Sequence, residues 1–404
     1  MPEASTQKRW IPGLDLLRCT AVFLVLIGHA KLLLPDGSRE LFKQYFPMPA
    51  AWGVELFFSL SGFLIGHRWV AMNLSSDGSP WKKVNNFVRN RWLRTMPTYW
   101  LLLTLLLLIG AISLGPGAGL QALISNLTLT NWITGTAYSL PVSWTLAIEE
   151  FSYILIGGSV MITRPLLQSL EPQLRRKWLP LFPALLILIG VLNRMIAVQT
   201  GNWQDLSHNP SHRLDALAYG LLLACWFGPQ QLTTVSGQCW RKRWIPTLLV
   251  ACVLMLQQWR INLLVDLKLT TPSDAMLFGM LMLPTIGLIT SGWVLLAAVW
   301  QSSGSKRMDH AIQHLARISY SVYLVHIPLR TFMLREWTAE TAFNGLVLVS
   351  VYLALSILLG DLTYRLLEKP FLILKQGLDR SQRLTEERAT PPLEATTTVT
   401  AYKR

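Results

Sequence analysis

Apolar residues in this chain arrive in long runs, separated by shorter polar stretches, and the pattern persists to about residue 363. An α-helix needs about 20 apolar residues to cross the hydrocarbon of a bilayer. On that measure the pattern predicts helices over 14–34, 50–70, 98–115, 141–162, 179–199, 214–230, 244–263, 276–300, 318–336 and 343–363. The expected fold is an all-α polytopic membrane protein of about ten transmembrane helices. A cytoplasmic segment over 1–13 precedes the transmembrane domain, 14–375, and a polar tail over 376–404 follows it.

Composition agrees with the pattern. The chain has 404 residues, of which 51% are hydrophobic and 14% charged. A soluble domain carries about a quarter charged residues. Basic residues then orient the helices. With the N-terminus in the cytoplasm and ten spans, 27 of the 36 Lys and Arg fall on inner flanks and 9 on outer ones. That bias follows the positive-inside rule and places both termini in the cytoplasm. It also accounts for most of the net charge of +14, so the charge does not argue for a nucleic-acid partner. The first run contains Arg18 and lacks a small-residue cleavage site, so no cleavable signal peptide is expected. Cys19, Cys225, Cys239 and Cys252 show no metal or CxxC spacing, and no metal site is expected.

The informative residues are the polar ones inside apolar runs. Arg18 and His29 stand eleven positions apart in the first run. Eleven steps of about 100° return to within about 20° of the starting direction, so both share one face, with roughly 16 Å of rise between them. Arg18 is then at the cytoplasmic mouth and His29 near the midplane. A snorkelling arginine and a packing histidine would explain the pair structurally. Buried ionisable groups in a bilayer are costly, however, and usually mark a substrate path. Glu149 and Glu150 lie in the fourth run and His326 in the ninth. His29, His326 and one glutamate are expected to meet at a common depth. The two glutamates point about 100° apart, so only one is expected to share the histidines' cavity. Glu55, Arg213 and Asp215 lie nearer the outer end, where an ion pair and a substrate contact are both open readings. The stretch "KKVNNFVRNRWLRTMPTYW" holds a basic cluster. Lys82 and Lys83 fit topology and lipid-phosphate attraction. Arg91 and Arg94, three apart, can grip one anion together.

In order, these segments resemble the acyltransferase 3 family of integral-membrane acyltransferases. Arg18 and His29 match its opening basic–histidine pair. "WGVELFFSLSGFLIG" (52–66) resembles GVDLFFVLSGFLI, with Glu55 for the usual Asp. "FVRNRWLRTMPTYW" (87–100) carries the RxxR pattern, and "SWTLAIEEFSY" (143–153) resembles SWSLSVEEQFY, with Phe151 and Ser152 where Gln and Phe are common. "ISYSVYLVHIPL" (318–329) matches SYSLYLxHxP, and "LEKPF" (367–371) resembles a closing ExP.

The resemblance implies O-acylation, commonly O-acetylation, by acyl transfer from cytoplasmic acyl-coenzyme A, expected to be acetyl-CoA, to a hydroxyl of a carbohydrate or glycolipid acceptor. It implies the stand-alone type, without an extracytoplasmic hydrolase-like domain, in a bacterial inner membrane. Arg18, Arg91 and Arg94 are then the donor-binding candidates. His29 is the candidate general base or acyl carrier, with Glu149 or Glu150 fixing its tautomer, and His326 positions the acceptor or polarises the thioester. Glu55, Arg213, Asp215 and Tyr323 are acceptor-binding candidates. A secondary transporter or flippase also explains intramembrane His and Glu, but the paired helix breaks common in transporters are not evident.

Overall fold

The computed structural model describes residues 11–46, 49–114, 119–227, 271–300 and 304–378. The expected span 244–263, the end of 214–230, Cys239, Cys252 and nearly all of the expected tail lie outside these residues.

The described residues are helical, without strands. α1 (Pro12–Ala30) is extended by a 3₁₀ turn to Leu33, and a short exposed α2 (Asp36–Tyr45) follows. α3 (Pro49–Leu74) and α4 (Pro80–Leu108) form the next pair, and the short α5 (Leu120–Thr128) and α6 (Asn131–Thr134) lead to α7 (Ser143–Gln168). Next come α8 (Pro172–Trp178), α9 (Leu181–Gln199) and α10 (Ala218–Trp226). α11 (Pro272–Leu277) runs through a π-helical turn, Phe278–Met282, into α12 (Leu283–Val299). α13 (Lys306–Glu336) and α14 (Ala342–Thr363) close the bundle, and α14 continues through a second π turn, Tyr364–Glu368.

Among the described residues, six helical stretches are long and apolar enough to cross a membrane: Pro12–Leu33, Pro49–Leu74, Ser143–Gln168, Pro172–Gln199, Pro272–Ala298 and Ala342–Leu378. α4 and α13 coincide with the third and ninth expected spans but carry too many polar residues to join those six. The helices also correct several expected boundaries. The Arg-rich stretch over 82–100 is no loop but the first two-thirds of α4. α13 begins twelve residues before the expected 318, and in the described part of the sixth span nine residues, Ala218–Trp226, are helical. α14 is prolonged to Leu378, into the first residues of the expected tail.

α3 is the hub, packing against α1, α7, α10 and α12. Glycines permit those approaches. A Cβ on Gly62 would collide with the carbonyl oxygen of Leu217, and one on Gly220 with that of Ser59. Each helix thus sinks a glycine onto the other's backbone, the small-residue contact that lets membrane helices approach closely. α4 is tethered from the side. The buried Arg164 of α7 donates to the carbonyls of Ser75, Ser76, Asp77 and Gly78 at 2.9–3.1 Å, and Lys83 bonds Ser75. The α3–α4 connection is therefore fixed, and with it the rotation of α4.

Candidate active site

The polar residues of the bundle surround two cavities set end to end. The first, of about 110 Å³, is lined by Arg18 from α1, Arg91 and Arg94 from α4, Glu149 and Tyr153 from α7, and Tyr320 from α13. One turn of α4 separates Arg91 from Arg94, and Arg18 faces them from α1. Arg18 pairs with Asp15 at 3.2 Å on its own helix. The Arg91 guanidinium lies 5.5 Å from the centroid of the Tyr153 ring, and its Nε is buried without a hydrogen-bond partner. Three cations around one space, one of them with a donor unused, fit a multiply charged anion.

The second cavity, of about 290 Å³, is lined by His29, Glu55, Arg213, Trp144 and His208. Val54 and Tyr323 line both cavities and so form the wall between them. The Tyr323 hydroxyl lies 2.9 Å from Thr145 Oγ1, and its ring packs edge-on against Phe57 at 6.1 Å. A third cavity, of about 510 Å³, shares Pro141, Trp144 and His208 with the second and opens at exposed residues, among them Gly135 and Asp205.

The histidines meet as expected, with ring centroids 5.0 Å apart in an edge-to-face arrangement. The glutamate does not join them. His29 Nδ1 lies 2.9 Å from the carbonyl oxygen of Val25, and His326 Nδ1 lies 2.6 Å from that of Tyr323. A carbonyl only accepts, so each Nδ1 carries the proton and each neutral ring presents a bare lone pair at Nε2. Backbone carbonyls, not Glu149 or Glu150, fix the tautomers, because one turn of the histidine's own helix already offers an acceptor. His326 is fully buried and lines neither large cavity. Its expected contact with substrate is thereby replaced by a place behind His29, with Nε2 unpartnered.

Glu149 and Glu150 separate as their 100° offset requires. Glu149 lines the arginine cavity and accepts from the Tyr153 hydroxyl at 3.2 Å. That hydroxyl has one proton, so Ser61 Oγ, 2.8 Å away, donates to it in turn. Glu150 faces α4, accepting from Thr95 Oγ1 at 2.7 Å.

The outer acidic residues belong to a buried network of four charges. Arg213 reaches Glu55 at 2.7 Å and Asp215 at 3.8 Å. Arg194 grips Asp215 with both terminal nitrogens, at 2.8 and 2.9 Å, and donates further to the carbonyls of Gly279 and His212. Glu55 and Arg213 face the second cavity, whereas Asp215 is buried behind it, tied to Arg194, and loses its expected acceptor contact. Sequence reading missed the role of Arg194. The signal was present, since an arginine within "LLILIGVLNRMIAV" demands a buried partner. It also gave no role to Glu368, the glutamate of the closing ExP, which the π turn of α14 holds in the interior, accepting from Ser321 Oγ at 2.7 Å.

A bundle of apolar helices whose interior carries paired charges and two histidines is an integral membrane protein in which costly buried charges mark a functional path. The sequence profile described as an acyltransferase domain matches residues 11–365, and the chain belongs to the acyltransferase 3 family, whose chemistry is acyl transfer. No curated protein and no solved structure matches the chain.

Proposed function

We propose that the protein carries an acyl group, acetyl in the simplest case, from cytoplasmic acyl-coenzyme A to a hydroxyl of a carbohydrate or glycolipid acceptor presented from the other face of a bacterial inner membrane. The observation that carries this reading is the pair of cavities. One collects Arg18, Arg91 and Arg94, the other exposes His29, and they share the wall made by Val54 and Tyr323. An O-acyltransferase joining two aqueous sides needs a polyanion site, a thin partition and a base in that order.

In this reading the arginines hold the phosphates of the donor while its arm extends towards Tyr323. The acceptor hydroxyl in the second cavity gives its proton to His29 Nε2, the lone pair that the Val25 carbonyl leaves free. The hydroxyl oxygen bonds to the thioester carbonyl carbon, the carbon–sulfur bond breaks, and the departing thiolate takes the proton from the imidazolium. Glu55, held by Arg213, lies in the same cavity and offsets the transient positive charge. The reading takes ten spans with both termini cytoplasmic, which would put the arginine cavity on the coenzyme A side. The polar residues that remove α4 and α13 from the six apolar stretches belong, in part, to this path.

The decisive test is His29→Gln, purified in detergent, with folding followed by thermal melt and with donor binding and acyl transfer measured separately. Glutamine keeps a hydrogen-bonding group but takes up no proton. Folding and donor binding are expected to survive while transfer falls by about 10²–10⁴, the usual contribution of a positioned base. Turnover at the wild-type rate in the folded variant removes His29 from the chemistry.

A further inference from the structure

The third cavity is the part of the path that acyl transfer itself leaves unexplained. It lies beyond the neck formed by Pro141, Trp144 and His208, further from the arginines than His29. Its volume of about 510 Å³ is within the range of about 300–1,000 Å³ typical of small-molecule sites. We propose that it is a subsite for an uncharged pyranose ring of the acceptor, adjoining the ring whose hydroxyl reaches His29. The proposal rests on the acyl-transfer reading for its use, but on the cavity's own chemistry for its specificity.

Three features point to a sugar. Aromatic side chains line the cavity beside hydrogen-bonding ones: Trp132, Tyr138 and Trp144 with Asn131, Thr136 and Asp205. A pyranose ring has C–H faces that rest on aromatic faces and hydroxyls around its rim, so it needs both kinds of wall. Trp132 is held in place by an edge-to-face contact with Phe151, centroids 5.4 Å apart.

The second feature is a buried acceptor left open. Asn131 is 1% exposed, and its Nδ2 donates to Thr136 Oγ1 at 3.1 Å and to the Ala137 carbonyl at 2.9 Å. Those bonds orient the amide and leave Oδ1 buried with no partner. An unpaired buried acceptor is costly, and Asn131, which carries it, lines the cavity, so a small turn of the side chain would offer it to a ligand hydroxyl. The wall around it is preorganised. Asn126 bonds the Ala137 carbonyl at 3.2 Å and receives the Ser139 N–H at 2.8 Å, while Thr134 Oγ1 lies 2.9 Å from both Ser125 Oγ and Thr136 Oγ1.

The third feature is charge. Among the described residues no Lys or Arg lines the cavity, and Asp205 supplies a carboxylate, 3.4 Å from His208 Nδ1. A uronic acid or phosphorylated sugar would meet the Asp205 carboxylate with no described Lys or Arg to offset it. Neutral rings are therefore selected.

The test measures binding without turnover. Saturation-transfer NMR on the full-length protein in detergent uses neutral methyl pyranosides, their disaccharides and the matching uronic acids as probes. Neutral probes should receive saturation and uronic acids much less. Trp132→Ala should weaken the neutral probes about tenfold, the order expected for one lost aromatic contact, and Trp132→Phe should restore most of it. Asn131→Ala should weaken them too. Acyl-coenzyme A binding should be unchanged in all three variants, which also reports that they fold. Equal binding of uronic acids, or Trp132→Ala binding as wild type does, overturns the subsite. Wild-type protein that binds neutral sugars through Trp132 yet transfers no acyl group leaves the subsite standing and removes the acyl-transfer reading. Transfer that proceeds without sugar binding here does the reverse.

Discussion

Arg91 and Lys82 lie nine residues apart on α4, and the structure gives them different work. Arg91 and Arg94 line the first cavity, whereas Lys82 is exposed and lines none. Arg91→Ala or Arg94→Ala should weaken acyl-coenzyme A binding by roughly 10- to 150-fold, since a charged hydrogen bond contributes about 1.5–3 kcal/mol. Lys82→Ala should change it little. Isothermal titration on the purified variants decides, and equal losses at all three positions would indicate a diffuse basic surface. At this scale the sequence was readable wherever helical phase alone fixes direction. Arg18 and His29 share a face because eleven residues nearly complete three turns, and both indeed border the cavity path. Phase could not choose between Glu149 and Glu150, because that choice depends on which neighbour, α4 or α3, packs against each side of α7. Nor could it foresee that Val25 and Tyr323 carbonyls would take the histidine Nδ1 protons, a bond made within the helix itself.

Between elements, glycine contacts decide how closely the helices approach. Gly62 on α3 and Gly220 on α10 each face the other helix's backbone without room for a methyl group. Ala at either position must push the helices apart, with a cost of about 1–3 kcal/mol, the usual range for overpacking. Thermal melts should therefore fall for Gly62→Ala and Gly220→Ala. Gly158→Ala is the control: nothing lies within 4 Å of its Cβ position, and alanine is the better helix former, so its melt should hold or rise. Equal melts for all three would mean that the α3–α10 crossing yields easily. The two π turns belong to the same scale. Phe278 and Met282, at the ends of one, line the second cavity, and Glu368 closes the other. Such turns favour functional sites because they rotate side chains off the regular helical face. Periodicity assumes that face is unbroken, which is why Glu368, matched only as the glutamate of a closing ExP, was not placed in the interior from sequence.

Across the whole molecule, the bilayer supplies the order of the parts. Hydropathy identified the apolar helices readily and was weakest at α4 and α13, whose intramembrane arginines and histidine lower the very average used to find a span. Charge placement is independent of that average. In the proposed orientation, which rests on the 27-to-9 bias, the α3–α4 connection is cytoplasmic and the α5–α7 region, with the third cavity, is outside. In that orientation the path would run from arginines within to aromatic rings without, as the proposed donor and acceptor on opposite faces require. Single cysteines at Asp77 and Thr136 test this order, introduced after Cys19, Cys225, Cys239 and Cys252 are replaced. Both positions are solvent-facing in the structure, Asp77 exposed and Thr136 half-buried at the cavity wall. In intact cells a membrane-impermeant maleimide should label Thr136→Cys at once and Asp77→Cys only after permeabilisation. The reverse pattern would turn the bundle over, put the arginine cavity on the side without coenzyme A, and remove the donor path on which the acyl-transfer assignment of Arg18, Arg91 and Arg94 depends.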